Sequence, residues 1–291
     1  MSLVKSSISE LSNGKSSSII SSNPKGVDHE GKRGKMLSGY PEVGRALTRD
    51  LCGRFDTVIK GKIRSEYPEV GRLLAAYLCW RFDAVIIGAD NIPTSGGLLF
   101  IGNHQEAFDG PMILHGARSR EVRLVVKNDG ENHLALSLLR QLTGALTINR
   151  NTGDLEAVRM VENILERGDT ACMLPEGHRS GQTGKVIGFH PGVAVIARHV
   201  PSARIVPFGI THAGHLTVGK VAKNLDRGIH RRNKPTIKFG RPFQLPPAHL
   251  SKREQRDVDV TFIRRQVLNL LPPEMEGEDI LYVVGQQSTR G

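Results

Sequence analysis

Short apolar runs recur through the middle of this chain, and stretches that read as helix or turn separate them. That alternation restricts the fold more than any other feature. The runs are Ala84–Ile87, Leu98–Ile101, Val122–Val126, Ala145–Ile148, Thr170–Leu174 and Arg204–Ile210, all of strand length. A helix is predicted to open at Asp109-Gly110-Pro111, because proline suits a first helical turn. Further helices are predicted over His133–Arg140, over 154–167 with Leu155, Val158, Val161, Ile164 and Leu165 inward, and over 191–199. Strands that alternate with helices pair in parallel and are covered on both faces. The expected fold class is α/β, a mostly parallel central sheet flanked by helices, preceded by an N-terminal helical segment.

The N-terminal side contains a duplication. Residues 40–61 and 67–88 agree at fifteen of twenty-two positions, at a constant offset of 27. In the second copy Val70, Leu73, Leu74, Tyr77 and Leu78 follow helical spacing and are predicted to form an inward stripe. In the first copy Asp50 and Ala46 stand where Tyr77 and Leu73 stand in the second, which breaks the stripe. The working helix is therefore expected in the second copy, and a chain beginning at Arg64 is expected to fold. Residues 1–39 are rich in Ser, Gly and Lys and carry too little apolar surface to offset ordering entropy. Four regions are expected: a disordered tail at 1–39, a duplicated helical segment at 40–66, the α/β domain at 67–246, and a C-terminal helix and tail at 247–291. That last helix opens with the capping box Ser251-Lys252-Arg253-Glu254 and is predicted to run to about Leu271.

Charge narrows the choice of partner. Forty Lys and Arg against 29 Asp and Glu leave a net charge of +11, which suits an anionic membrane surface or a phosphorylated substrate. The basic loop Gly219–Lys234 has no aromatic residue, whereas binding of single-stranded nucleic acid interleaves aromatics with cations, so no nucleic acid partner is expected. Cys52, Cys79 and Cys172 form no C-x-x-C pair, and no structural metal or disulfide framework is expected. No run approaches the ~18 apolar residues of a spanning helix. Glu10 and the late first arginine, Arg33, speak against a targeting peptide. The expected location is the cytoplasmic side of a membrane, attached peripherally and without a transmembrane helix.

Two constellations carry chemistry. Gly102-Asn103-His104-Gln105-Glu106-Ala107-Phe108-Asp109-Gly110 follows a buried-looking strand and opens a helix. Ligands of open α/β sheets bind at the carboxyl ends of strands, so the place suits a site. Histidine exchanges protons near neutral pH. A carboxylate five residues on, turned back to one ring nitrogen, would fix the tautomer and leave the other nitrogen as general base. A surface histidine that never meets a helix-capping aspartate is the competing reading. The second constellation, Leu174-Pro175-Glu176-Gly177-His178-Arg179-Ser180-Gly181, also follows a strand. Its arginine can grip a phosphate through paired N–H donors, with Glu176 positioning that guanidinium or a neighbouring backbone. Lys185 fits no P-loop, and His178 occupies the first glycine's place of a G-x-S-x-G elbow around Ser180. Gly144 to Arg150 brings an arginine to a strand end, Lys127 ends another strand, and Val206-Pro207-Phe208-Gly209-Ile210 is a further buried run.

In order and spacing these residues resemble the lysophospholipid acyltransferase family, of the 1-acylglycerol-3-phosphate acyltransferase type. Its pattern N-H-x-x-x-x-D is met by Asn103, His104 and Asp109, and its G-x-x-F-I-x-R in part by Gly144 to Arg150. F-P-E-G-T-R-S corresponds to Pro175-Glu176-Gly177 with Arg179-Ser180, and a V-P-x-x-I-like strand to Val206–Ile210. The resemblance spans about residues 67 to 246. It implies acyl transfer from a thioester to a lysolipid hydroxyl, with acyl-CoA or acyl carrier protein as co-substrate and no other cofactor. His104 and Asp109 would be the catalytic pair. Asn103, Lys127, Arg150, Glu176, Gly177 and Arg179 would bind or shape the pocket for the acceptor's phosphate. Leu174, Thr147, His178 and His190 depart from the family's usual Phe, Phe, Thr and Lys, and these departures bear on the acceptor headgroup. The alternatives are acylation of another lysolipid and a non-catalytic basic binding module for membrane or nucleic acid.

Overall fold

A computed structural model describes residues 68–118, 120–127, 144–148, 154–180, 183–225 and 232–278. The first copy of the duplication, the 1–39 segment, the helix expected at His133–Arg140, Arg150, and the end of the chain from residue 279 lie outside the described residues.

Helix α1 (Pro68–Arg81) leads into the edge strand β1 (Val85–Ile87). Then come β2 (Leu98–Gly102), α2 (Asp109–Gly116), β3 (Val122–Lys127) and β4 (Leu146–Ile148). Next are α3 (Asp154–Glu166), β5 (Thr170–Met173), α4 (Gly192–His199) and β6 (Arg204–Thr211). The last elements are α5 (Val218–Lys223), β7 (Thr236–Phe239) and α6 (Lys252–Leu268). The seven strands form one sheet in the order β1-β7-β6-β2-β5-β3-β4. All neighbours are parallel except β6 and β7, which run antiparallel. The α/β sheet with helices on both faces is the architecture expected from the sequence.

Strand β2 sits at the centre because all five of its residues can be buried, as they are. Side chains alternate across a strand, so it feeds two cores. Leu98 and Phe100 pack on one face with Phe82, Phe108 and Met112 from α1, α2 and the segments beside them. Leu99 and Ile101 pack on the other face with Val161, Ile196 and Ile263 of α3, α4 and α6. Helix α6 belongs to this second core rather than standing apart from it. Its Asp259 takes a bidentate contact from Arg198 of α4, at 2.6 Å for both bonds. Its buried Arg264 donates to the carbonyls of Val186, Ile187 and Gly277. The Ser251 cap accepts from the Glu254 N–H as the capping box requires.

Four local expectations are corrected. Helix α1 buries Ala75 and Cys79, whereas Leu73, predicted to face inward, is 60% exposed. The small residues form the buried face because they let α1 approach α2 closely. Leu155 is likewise exposed, since it lies in the first turn of α3, before the helix settles onto the sheet. The basic stretch read as a loop opens as helix α5, whose Thr217 cap accepts from the Lys220 N–H. Strand β7 leaves no local signal in the sequence. Thr236–Phe239 is short, carries Lys238 on its outward side, and gains its order from long-range pairing with β1 and β6.

Candidate active site

The site grows from the carboxyl end of β2. Gly102 is its last residue and lies opposite Phe208 of β6. A side chain at 102 would place a Cβ 2.2 Å from the Phe208 ring, so only glycine lets β2 end against that phenyl group. Asn103 follows, fully buried. Its amide donates to the Ile210 carbonyl at 2.9 Å and its oxygen accepts from the Ile210 N–H at 2.7 Å. Asn103 was expected among the substrate-contacting residues. Its carboxamide pairs with β6 backbone and pins the turn that turns His104 outward. Gln105 does similar work, accepting from the Ala213 N–H at 2.8 Å.

His104 and Asp109 do meet. His104 Nδ1 lies 2.8 Å from Asp109 Oδ2, with the histidine side chain 23% exposed and the aspartate 1%. The same Oδ2 accepts the backbone N–H groups of Gln105 at 2.6 Å and Glu106 at 3.1 Å. Burial pushes the Asp109 carboxyl up from its ordinary range, and the His104 ring and those two N–H groups pull it back. The reading of a histidine and a capping aspartate that never meet is therefore excluded. Asp109 binds the loop at its own helix start and the ring together.

The loop after β5 grips His104 from the other side. The His104 N–H donates to Glu176 Oε1 at 2.8 Å. The His104 carbonyl accepts from the Ser180 N–H at 2.7 Å and from its hydroxyl at 2.9 Å. Glu176 thus positions a neighbouring backbone, one of the two tasks its place in the sequence allowed. It is fully buried, and that burial raises its carboxyl from 4.5 to about 7. Gly177 turns this loop with φ +72°, in the left-handed region that favours glycine. Ser180 joins the site only through the fold. Its hydroxyl faces the His104 carbonyl rather than the ring, so the geometry does not build a serine nucleophile.

Arg179 stands at the rim, its side chain 58% exposed, with Nη1 2.9 Å from Glu106 Oε1. Glu106 was also missed in the sequence. A glutamate between a histidine and its aspartate reads as a solvated loop residue until the fold lays the 174–180 loop beside it. Lys127 ends β3 and pairs in register with Ile148, which places its backbone at the carboxyl edge of the sheet. Arg150 is outside the described residues.

The fold and site together define an open α/β protein with a histidine–aspartate pair at the carboxyl edge of its sheet. The family model described as Acyltransferase matches residues 84–211, which contain the whole of that site. This segment is an acyltransferase domain, of the family that the four motifs resemble. Among solved structures it is similar to the 1-acyl-sn-glycerophosphate (LPA) acyltransferase PlsC from Thermotoga maritima. The identity is 23% over 70% of this chain and 78% of that one, with a TM-score of 0.45. No curated protein matches it.

Proposed function

We propose that this acyltransferase moves a fatty acyl group from acyl-CoA or acyl carrier protein to the free hydroxyl of 1-acylglycerol-3-phosphate, a step of phospholipid biosynthesis. The observation that carries the reading is the His104–Asp109 pair inside the acyltransferase segment. With Nδ1 turned to Asp109, Nε2 is the nitrogen left for a substrate. The acceptor hydroxyl gives its proton to Nε2 as its oxygen attacks the thioester carbonyl. The C–S bond then breaks, the thiolate leaves with that proton, and an ester remains. Asp109 holds the tautomer and stabilises the imidazolium between the two transfers. The acceptor's own hydroxyl is the nucleophile, so no covalent acyl-enzyme is needed. The test is thiol release from acyl-CoA with and without lysophosphatidate. Release that depends on the acceptor supports the reading. Release that ignores it, or none at all, overturns it.

Arg179 is proposed to bind the acceptor's phosphate, with Lys127 and Arg150 as further cations. Glu176 and Gly177 shape the loop that presents Arg179. Arg179→Lys is expected to raise the acceptor KM roughly tenfold, because a point charge cannot reproduce a guanidinium fork. The donor KM is expected to stay put. Equal effects on both substrates would remove the assignment. Acylation of another lysolipid is the second reading, and one observation favours it: Arg179 already has a carboxylate partner in Glu106.

Peripheral membrane attachment is part of the proposal. Among the described residues no helix is long and apolar enough to cross a membrane. Helix α1 nevertheless exposes Leu73 and Trp80. Its Tyr77 and Arg81 reach the Leu225 carbonyl just beyond α5, which carries the exposed Lys220 and Lys223. Apolar and basic groups on neighbouring elements suit an anionic lipid surface, where each cation adds about 1 kcal/mol that salt screens. High salt or alkaline wash is expected to release the protein from membranes. Extraction by detergent alone would instead mean that α1 is inserted.

A further inference from the structure

The mechanism above uses His104 and Asp109 but gives Glu106, which lies between them, no task. Its backbone N–H is spent on Asp109, and Oε1 accepts the Ala107 N–H at 2.9 Å. The same oxygen meets Arg179 Nη1 at 2.9 Å. The two partners differ in burial: the Glu106 side chain is 11% exposed, the Arg179 side chain 58%. The acid is therefore held inside and the base is presented outward. A guanidinium has five N–H donors in a fixed fork, so one nitrogen on Glu106 leaves donors for an incoming anion. That anion meets a cation with a carboxylate one hydrogen bond away.

Attraction to Arg179 and repulsion by Glu106 both scale with the charge of the headgroup. A doubly charged phosphomonoester is attracted twice as strongly as a singly charged phosphodiester, and is also repelled twice as strongly. Arg179 alone would favour the double charge. The pair flattens that preference.

We propose that Glu106 is a specificity-determining residue: its carboxylate, by cancelling part of the charge of Arg179, opens the acceptor site to singly charged phosphodiester lysolipids as well as doubly charged phosphomonoesters. This rests on the reading of Arg179 as the phosphate-binding residue. It extends the range of acceptors beyond 1-acylglycerol-3-phosphate to lysolipids whose phosphate carries a second substituent.

The experiment compares kcat/KM for lysophosphatidate and lysophosphatidylglycerol, using one acyl-CoA, mixed micelles and the full-length enzyme. The ratio of the two cancels every effect of pH on the catalytic step that both reactions share. The unaltered enzyme is expected to use both acceptors within about tenfold of each other. Glu106→Gln is expected to move the ratio toward the monoester by roughly three- to tenfold at pH 7.5, through the acceptor KM. At pH 5.5 the shift should be smaller, because a phosphate monoester loses its second charge near pH ~6. Glu106→Ser repeats the measurement with a shorter side chain, and thermal unfolding of both variants verifies that they fold. An unchanged ratio overturns the proposal. So does a shift toward the diester, which would mean that Glu106 merely holds Arg179 in place. An unaltered enzyme that acylates neither phosphate lysolipid sinks the phosphate reading of the site along with it. One that acylates both, with a ratio that no variant moves, sinks only the role of Glu106.

Discussion

Replacing His104 with alanine is expected to lower kcat by ~10²–10⁴ while leaving the protein folded, the range typical for losing a general base. The fold should survive because the loop is held through the backbone of residue 104, which alanine keeps: the N–H on Glu176 and the carbonyl on Ser180. Asp109→Asn should cripple the enzyme by a comparable factor for a different reason. An amide that keeps its oxygen toward the Gln105 and Glu106 N–H groups can still brace the loop. That same oxygen faces His104 Nδ1 and can still accept its proton, but without the negative charge it no longer stabilises the imidazolium. Steady-state kinetics beside thermal unfolding test both variants. Near-normal kcat in His104→Ala would end the proposed mechanism. A large fall in unfolding temperature would show that the ring supports the fold as well.

Glu176 carries the second large effect, and it is an effect on stability. Burial lifts its carboxyl from 4.5 to about 7 in the folded chain. An acid whose folded value is raised binds its proton more tightly when folded. The associated stability is fully present below pH ~4.5, falls as the pH rises, and is gone above about 7. Glu176→Gln keeps a carbonyl oxygen for the His104 N–H but cannot ionise. Relative to the unaltered protein, the variant should therefore gain ~2.5 kcal/mol in moving from pH 5 to pH 8. Denaturant unfolding of both proteins at the two pH values measures this, and the constant cost of placing an amide there cancels in the difference. A pH-independent gap between the two proteins would mean that Glu176 is already ionised at pH 5. Activity gives a second readout: if the His104 N–H clasp is what matters, Glu176→Gln should retain far more activity than Glu176→Ala.

The sequence by itself determined the class of fold and the centre of the site. Runs such as Leu98–Ile101 and Thr170–Leu174 are apolar on both faces, and strands of that kind can be buried only in a covered, mostly parallel sheet. The His104–Asp109 spacing was equally legible, because a histidine at a strand end and a carboxylate in the next helix's first turn are near neighbours along the chain. Contacts across many positions were decided only by the tertiary structure. Helix α1 buries Ala75 and Cys79 rather than Leu73, because close approach to α2 outweighs the size of the apolar side chain. β7 forms because β1 and β6 offer it two edges, a gain that no local pattern of four residues records. Asn103 is committed to Ile210, 107 positions away, which makes it a brace. Ser180 and Glu106 became part of the site only when two parallel strands, β2 and β5, brought their carboxyl-end loops side by side. Periodicity and short spacing report on local geometry. The hydrogen bonds that hold His104 in place come from a loop more than seventy residues distant, and which loop lies there is settled by strand order.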